Sequence, residues 1–262
     1  MIEAVIFDWA GTTVDYGSLA PVVAFKTAFN AKKIYPTDEE IRRFMGMSKW
    51  DHIGELLSLD TVRQQWQQEY SNDPTEEDRK ELYVMFESAL MAHLVKSTEL
   101  KPGLLDTIQF LKDNGIRVAT TTGYTPEMME ALRVGAEKLG YRPEIILTSA
   151  DVNDNGRPAP DMINKIMTEF EIDDPAKVIK IGDTIVDIEE GKNAGVKTVG
   201  IIEGSSLMGL TEEEFVNMTK DEQTDARAYV EREFDSVDAD YVINSLSELP
   251  EVIRSLNQLK EM

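Results

Sequence analysis

Short apolar segments that alternate with helical segments constrain the fold of this chain more than any other feature of its sequence. The first apolar segment, 2–7, is rich in β-branched residues and ends in a turn. Further segments of this kind occur only in the second part of the chain, at 116–121, 144–148, 178–181 and 197–202, with a weaker one at 240–243. Helical patterns separate them at 104–114, 126–140, 160–170 and 185–194. Such alternation predicts an α/β fold, a doubly wound parallel sheet that is covered on both faces.

The interval between the first two predicted strands is of a different kind. It shows no convincing strand, and its patterns predict helices at 20–33, 38–45, 49–57, 61–70 and 75–95. A helical block of this size does not fit inside a crossover between two neighbouring strands. We therefore predict an α/β core of residues 1–16 and 99–262 and an inserted all-helical cap domain of residues 17–98.

The tail of the chain, after the predicted strand at 197–202, is acidic. It contains two predicted helices, at 210–217 and 222–234. We expect this tail to pack on the outside of the core and to take no part in chemistry.

The charge balance limits the partners of the protein. The chain has 27 Lys and Arg against 49 Asp and Glu, a net charge of −22, which disfavours nucleic acid and anionic membranes. No apolar run reaches the roughly 18 to 20 residues that span a bilayer, and the first residues do not resemble a signal peptide. The chain has no cysteine, which excludes disulfides and a thiol nucleophile. We expect a cytoplasmic protein, and any anionic substrate would need local cations or a divalent metal ion.

Polar side chains follow the predicted strands where those strands end. The first strand ends at Asp8, and Gly11 and Thr12 after it can offer backbone N–H groups to a phosphoryl group. By itself, Asp8 is equally consistent with a side chain that only caps the turn. The second strand ends in Thr122 and Gly123. Because ligands of parallel sheets bind at the carboxyl ends of the strands, these groups are expected to converge at one edge.

A later strand end adds two carboxylates. Asp183 and Asp187 follow the strand at 178–181, and Gly156-Arg157-Pro158 lies between the second and this later strand. The ordered set resembles the haloacid dehalogenase superfamily of aspartate-nucleophile phosphotransferases, which carry an inserted helical cap. The resemblance implies that Asp8 is the nucleophile on phosphorus and that the hydroxyl of Thr122 binds the phosphoryl oxygens.

The resemblance also implies a magnesium site. Asp8, the backbone carbonyl of Ala10 and Asp183 would be the ligands, and Asp187 a second carboxylate near the metal. Carboxylate and carbonyl oxygens are ligands that Mg²⁺ prefers, and the ion would supply the positive charge that an acidic chain lacks.

One position departs from the superfamily pattern. Phosphatases of the superfamily usually have an aspartic acid two residues after the nucleophile, which protonates the leaving alkoxide, and here that position is Ala10. Either the protein is catalytically impaired, or its leaving group needs no acid at that place.

The predicted cap offers an explanation. Lys49 and His52 stand three residues apart among apolar neighbours, so a helix would place them on one face. A buried lysine has a lowered pKa and can form a Schiff base, which is an electron sink. A carbon–phosphorus bond beta to its nitrogen can then break without expelling an oxygen, and Ala10 need not be an acid.

The motifs narrow the resemblance to one family. FDWAGTTVDYG, MGxxKxDH, TTGYT, GRP and GDTxxD occur in this order, and the chain resembles the phosphonoacetaldehyde hydrolases nearly from end to end. The resemblance implies that Lys49 forms an imine with the aldehyde and that His52 and Tyr124 assist proton transfer and orientation. It further implies that Met45 lines the pocket and that Arg157 is the phosphonate-binding cation.

Other interpretations remain open at this stage. Each residue has an ordinary structural role available: Lys49 on the surface, His52 and Met45 in the core, Tyr124 at a helix entry and Arg157 in a turn. At the level of function, the rivals are a phosphate-ester phosphatase or sugar-phosphate mutase of the same superfamily and a non-catalytic binding protein. The family resemblance also implies phosphonoacetaldehyde as the small-molecule substrate and a homodimer formed through the cap.

Overall fold

A parallel sheet of six strands forms the centre of the molecule. The computed structural model describes residues 1–94 and 99–259, and the strands lie in the order β3-β2-β1-β4-β5-β6. Their bounds are β1 Ala4–Phe7, β2 Arg117–Thr121, β3 Ile145–Leu147, β4 Val178–Gly182, β5 Lys197–Ile201 and β6 Tyr241–Ile243. Each pairing is parallel, which confirms the predicted sheet, and the weak candidate at 240–243 is an edge strand.

Alternate residues of β1 explain why this strand lies at the centre of the sheet. Val5 and Phe7 belong to one apolar cluster, and Ala4 and Ile6 belong to another. Successive side chains of a strand point to opposite faces, so both faces of β1 are covered. Helices on both sides of a parallel sheet define the doubly wound arrangement.

Helices complete the α/β part of the chain and form most of the residues between β1 and β2. The helices after residue 99 are α6 Leu104–Asp113, α7 Pro126–Lys138, α8 Asp161–Glu169, α9 Ile185–Ala194, α10 Glu212–Asn217, α11 Lys220–Ser236 and α12 Leu249–Leu259. The earlier ones, which we call the helical insertion, are α1 Leu19–Ala31, α2 Asp38–Arg42, α3 Lys49–Ser58, α4 Asp60–Tyr70 and α5 Glu76–Leu94.

The observed helices differ from the predicted ones in two places. Helix α2 ends at Arg42 instead of continuing to 45, because the chain turns towards Gly46, which has a φ of +92°. Helix α12 was not predicted from the sequence. The predicted end of the helix at 75–95, the 98/99 boundary and the end of the chain touch residues 95–98 and 260–262, which lie outside the described residues.

The helical insertion has its own apolar interior. Helices α1 and α5 pack along each other, and Phe25 and Phe86 stack with ring centroids 4.2 Å apart. Trp66 of α4 is also buried. No helix in the described ranges is both long and apolar enough to span a membrane.

The turn between α2 and α3 rests directly on the carboxyl ends of the strands. A Cβ atom on Gly46 would lie 2.5 Å from Oγ1 of Thr184, and one on Gly123 would lie 2.4 Å from the carbonyl oxygen of Met47. These glycines permit a close approach of the two backbones. From α2, Nη1 of Arg42 donates to the carbonyl oxygen of Ser206 at 2.9 Å. The helical insertion is therefore closed over this edge of the sheet.

Candidate active site

A small cavity lies between the strand ends and the turn that joins α2 to α3. Its walls come from both parts of the chain: Asp8, Ala10, Ser18, Pro21, Met45, Gly46, Lys49, Thr122, Gly123, Tyr124, Asp183 and Thr184. The carboxylate at the end of β1 and the amine at the start of α3 therefore face the same space. Eight of these residues were singled out from the sequence, whereas Ser18, Pro21, Gly46 and Thr184 were not.

Asp8 is fixed at the end of β1 and is buried. Its backbone N–H donates to the carbonyl oxygen of Ile181 at 2.9 Å, so the β1–β4 pairing sets the position of the residue. Its Oδ1 accepts a hydrogen bond from Nη1 of Arg157 at 2.7 Å. Burial raises the pKa of the Asp8 carboxyl and nearby Asp187 raises it further, while Arg157 acts in the opposite direction.

Three buried carboxylates stand close together at the bottom of the cavity. Asp8, Asp183 and Asp187 each offer one oxygen within 4.8 Å of the others. Burial, followed by repulsion from Asp8, raises the pKa of Asp183 to about 8. A divalent cation would offset this repulsion, and oxygen donors of this kind suit Mg²⁺. The carboxylates present therefore fit a metal ion, and Ala10 lies on the wall of the same cavity.

The surroundings of the carboxylates hold them in place. Oγ1 of Thr12 donates to Oδ1 of Asp183 at 3.2 Å, and the backbone N–H of Ser206 donates to its Oδ2 at 2.7 Å. Asp187 completes a capping box with Thr184 at the start of α9. Ser206 belongs to the tail, which was expected to be remote from the chemistry, so that expectation does not hold for this loop.

Lys49 is the first residue of α3. The preceding Ser48 caps the helix, since its Oγ accepts a hydrogen bond from the backbone N–H of Asp51 at 3.2 Å. Nζ of Lys49 lies 5.2 Å from the centroid of the Tyr124 ring. The side chain is buried, and this burial lowers the pKa of the amine to about 8. A substantial fraction of Lys49 is then neutral near pH 7 to 8, which is the form that attacks a carbonyl carbon.

His52 lies on the same buried face of α3 but is not part of the cavity wall. Its Nε2 lies 2.8 Å from the carbonyl oxygen of Ile41, and its ring packs on Phe25 with centroids 4.0 Å apart. Among the described residues, Nδ1 has no hydrogen-bond partner. Burial, and then the charge of Lys49, hold the pKa of His52 well below its usual value, so the ring is neutral.

The end of β2 forms the wall opposite Lys49. The backbone N–H of Thr122 donates to the carbonyl oxygen of Leu147 at 3.0 Å, and its Oγ1 accepts from the N–H of Tyr124 at 3.2 Å. Burial raises the pKa of the Tyr124 hydroxyl well above its usual value, so it is a proton donor and not a phenolate. Met45 supplies an apolar part of the wall.

Arg157 occupies a different place from the one expected for a residue that binds substrate directly. Its guanidinium is not on the cavity wall but is buried behind Asp8. It contacts carboxylates of Asp8, Asp187 and Glu190 at 2.7 to 3.0 Å, and it donates to the carbonyl oxygen of Thr121. The positive charge of Arg157 lies next to the nucleophile, and Asp8 stands between it and the cavity.

Buried cations around the site were only partly predicted. Lys49 and Arg157 follow from the motifs, whereas Lys101 and Lys180 do not. Nζ of Lys101 donates to the carbonyl oxygen of Gly11, which ties down the loop after the nucleophile. The sequence does contain a signal for Lys180, because a lysine within the apolar run at 178–181 interrupts the pattern of a buried strand. Together these cations offset the negative charge of the buried carboxylates, and a divalent ion would add the positive charge that an anionic substrate needs.

Comparison with known proteins agrees with the geometry. Residues 2–195 match the family of haloacid dehalogenase-like hydrolases, and residues 155–249 match a second family of the same kind. The chain is 45% identical to the phosphonoacetaldehyde hydrolase of Latilactobacillus sakei, over 96% of this chain and 95% of that protein. It is 42% identical to the enzyme of the same name from Lactiplantibacillus plantarum, over 98% and 97% of the two chains.

A solved structure gives the same result. The chain superimposes on a phosphonoacetaldehyde hydrolase-like protein from Oleispira antarctica with a TM-score of 0.95 and 37% identity, over 98% of this chain and 93% of that one. The family resemblance predicted from the ordered motifs is thereby confirmed. The chain belongs to the phosphonoacetaldehyde hydrolase family of the haloacid dehalogenase-like hydrolases.

Proposed function

We propose that this protein hydrolyses the carbon–phosphorus bond of phosphonoacetaldehyde to give acetaldehyde and phosphate. The observation that carries the proposal is the shared cavity, in which the amine of Lys49 and the carboxylate of Asp8 face each other. The lining of the cavity, an amine on one side and carboxylates with a hydroxyl on the other, suits a small substrate with an aldehyde at one end and a phosphonate at the other. The names of the similar proteins support the same substrate.

The reaction begins at the aldehyde. The neutral amine of Lys49 attacks the carbonyl carbon, water leaves, and a protonated imine forms. Tyr124 lies over the amine and orients the aldehyde. His52 and Tyr124 assist proton transfer at this end, and Nδ1 of His52 has no hydrogen-bond partner among the described residues.

The phosphonate end reacts with Asp8. The carboxylate attacks phosphorus in line, the carbon–phosphorus bond breaks, and its electron pair moves into the enamine on Lys49. Phosphorus is then held as an aspartyl-phosphate. The enamine is protonated at carbon and hydrolysed to acetaldehyde, and a further water releases phosphate from Asp8. No oxygen leaves as an alkoxide, so the reaction needs no acid at Ala10.

The phosphonate is held by groups at the strand ends. Thr122 and Gly123 are on the cavity wall, and the loop of Gly11 and Thr12 lies beside the nucleophile. Arg157 offsets negative charge next to Asp8.

A metal ion would be held by Asp8, Asp183 and the carbonyl of Ala10, with Asp187 beside it. We propose Mg²⁺ for this place. When bound, the ion supplies electrostatic stabilisation of the phosphoryl oxygens.

Three features of the whole protein belong to the same proposal. Residues 17–98 act as a cap domain on a core of 1–16 and 99–262, and closure of the cap excludes water from the imine. A homodimer through the cap and a cytoplasmic location stay predictions from the sequence.

Product analysis tests the proposal. With phosphonoacetaldehyde and Mg²⁺, the protein should release acetaldehyde and phosphate in equal amounts, and ethyl phosphate, a small alkyl ester, should be hydrolysed far more slowly. Chelation of the metal should stop phosphate release. Faster hydrolysis of ethyl phosphate would favour an ester phosphatase, and metal binding without turnover of either compound would favour a non-catalytic protein.

A further inference from the structure

Two charged residues that the proposed reaction does not use are completely buried beneath the site. Lys180 is in the middle of β4 and Glu190 is on α9, and neither has any exposed surface. Removing charged groups from water costs several kcal/mol for each ion unless they are paired. Their burial therefore requires partners, and the partners lead to the nucleophile.

Lys180 contacts two carboxylates and a hydroxyl. Its Nζ lies 3.0 Å from Oδ1 of Asp187 and 3.1 Å from Oε2 of Glu190. It also donates to Oγ1 of Thr121 at 2.9 Å, and this hydroxyl lies 3.0 Å from Oε2 of Glu190. The four groups form one buried polar cluster.

The guanidinium of Arg157 uses the same two carboxylate oxygens. Its Nη1 lies 2.8 Å from Oδ1 of Asp187, and its Nε lies 3.0 Å from Oε2 of Glu190. The same Nη1 donates to Oδ1 of Asp8 at 2.7 Å. Lys180 and Arg157 thus share their anchors, and only Arg157 extends to the nucleophile.

The geometry of the cluster favours a role in orientation over a purely structural ion pair. A guanidinium is planar, so the hydrogen bonds from Nη1 to Asp8 and from Nη2 to Thr121, with the Nε side against Glu190, fix the plane of the group. Removing Lys180 would leave Arg157 as the only cation shared by the Asp187 and Glu190 carboxylates. Their attraction would then draw the guanidinium of Arg157 away from Asp8. Removing the charge of Glu190 would release the Nε side of Arg157.

We propose that Lys180 and Glu190 are positioning residues, which act through Arg157 to hold the carboxylate of Asp8 in the orientation for attack on phosphorus. The inference rests on the proposed function, because it assigns these residues to the phosphorus end of that reaction. They have no role at the aldehyde end, where Lys49 forms the imine.

The test compares the two ends of the reaction in the variants Glu190→Gln and Lys180→Met. The surface pair of Lys177 and Glu3, 2.8 Å apart, provides the matched controls Lys177→Met and Glu3→Gln. For each folded protein, kcat and KM for phosphate release are measured, together with the rate at which cyanoborohydride traps the imine. Far-UV circular dichroism and thermal unfolding report whether the variant folds.

Glu190→Gln and Lys180→Met should lower kcat about 10- to 100-fold with KM little changed, the range seen when outer partners of a reactive group are removed. The trapping rate should stay within about twofold of wild type. The controls should leave both quantities unchanged.

An unchanged kcat in a folded variant would overturn the proposal. So would a parallel loss of trapping and phosphate release, which would indicate a general structural role. Failure of both variants to fold would assign the pair to stability alone and would also overturn it. If the wild-type protein itself gives neither an imine nor phosphate, it is the proposed function that fails.

Discussion

At the scale of single residues, Lys49 has the most unusual environment in the proposed mechanism. Nearly all of its side chain is removed from water, and its amine lies 5.2 Å from the centroid of the Tyr124 ring. This placement lowers the pKa to about 8 and costs folding free energy. The same placement produces a nucleophile, so reactivity and stability change together at this residue.

The lowered pKa predicts how imine formation depends on pH. In the variant Asp8→Asn, which cannot continue to bond cleavage, the rate of cyanoborohydride trapping with substrate should rise with pH and level off at or below about pH 8, because the charge of Asp8 raises the pKa of Lys49 and is absent from the variant. The amine is neutral above its pKa, which gives the direction of the change. A rate that continues to rise towards pH 10.5 would show a lysine with an ordinary pKa.

The burial of Lys49 also predicts that replacing this residue by an apolar one increases the stability of the protein. A pKa lowered from 10.5 to about 8 corresponds to about 3 kcal/mol of unfavourable burial at pH 7. Lys49→Met should therefore be inactive but should have a free energy of unfolding that is higher by up to about 3 kcal/mol. The folded state binds the proton of Lys49 less well than the unfolded state does. The difference in free energy of unfolding between the variant and the wild type should therefore shrink as pH rises from about 8 to 10.5.

Denaturant unfolding at several pH values measures this effect. The exposed Lys112 provides a matched control, because Lys112→Met should change the free energy of unfolding by less than about 0.5 kcal/mol. A Lys49→Met protein that is less stable than wild type at pH 7 would contradict the assigned burial cost.

At the scale of secondary-structure elements, the site depends on how the α2–α3 turn meets the end of β2. The turn has no side chain between it and the strand end, because Gly123 lies directly under the carbonyl of Met47. Helix α3 begins two residues later, at Lys49. The position of the amine over Asp8 is therefore set by a contact between two backbones.

The variant Gly123→Ala tests this contact. The new Cβ would lie 2.4 Å from the carbonyl oxygen of Met47, so the turn must move and carry Lys49 away from the strand ends. We expect kcat/KM for phosphate release to fall about 100-fold, the loss that a displacement of about 1 Å can cause. Near-wild-type activity would show that the turn can yield without moving the amine.

Gly115→Ala is the control for this variant. Nothing lies within 4 Å of a Cβ at that position, although its φ of +68° makes alanine unfavourable there. This variant should lose stability without losing activity.

Much of the element structure was predictable, and the failures have physical causes. Strands β1, β2 and β4 are runs of β-branched and apolar residues between turns, a pattern that requires no tertiary information. Helix α12 was missed because its start at Leu249 is followed at once by Pro250, which was not recognised as a helix start. Helix α2 ends early because Gly46 must approach Thr184, a contact that spacing does not show.

In the candidate site, too, some residues were predictable from the sequence and others were not. Asp8, Thr122 and Asp183 were predictable because strand ends of a parallel sheet converge, and the cavity brings them together. Lys180 and Glu190 were not, since a buried charge can be interpreted only when its partners in other elements are known. The position of Arg157 behind Asp8 likewise depends on those partners.

At the scale of the whole molecule, a strongly negative chain holds buried cations beside the carboxylates of its site. The chain carries a net charge of −22, whereas Lys49, Lys101, Arg157 and Lys180 are buried around the cavity. An anionic substrate is repelled at long range and attracted at short range. The two effects respond differently to salt, because screening acts mainly on the long-range field.

Raising the ionic strength from about 0.01 to 0.15 M should therefore increase kcat/KM for phosphonoacetaldehyde by about two- to fivefold. The rate at which cyanoborohydride traps the neutral compound acetaldehyde on the protein should not change, which provides the control. A decrease in kcat/KM with salt would indicate that the local cations dominate the approach of the substrate.

In the proposed reaction Lys49 and Asp8 act on opposite ends of one bound molecule, and reductive trapping followed by mass mapping can detect both actions in one experiment. After incubation with phosphonoacetaldehyde and borohydride, the wild-type protein should carry an ethyl group on Lys49, because the carbon–phosphorus bond is broken before reduction. Asp8→Asn should carry the intact phosphonoethyl group on the same residue. An adduct on another lysine, or an ethyl group in the Asp8→Asn protein, would contradict the account.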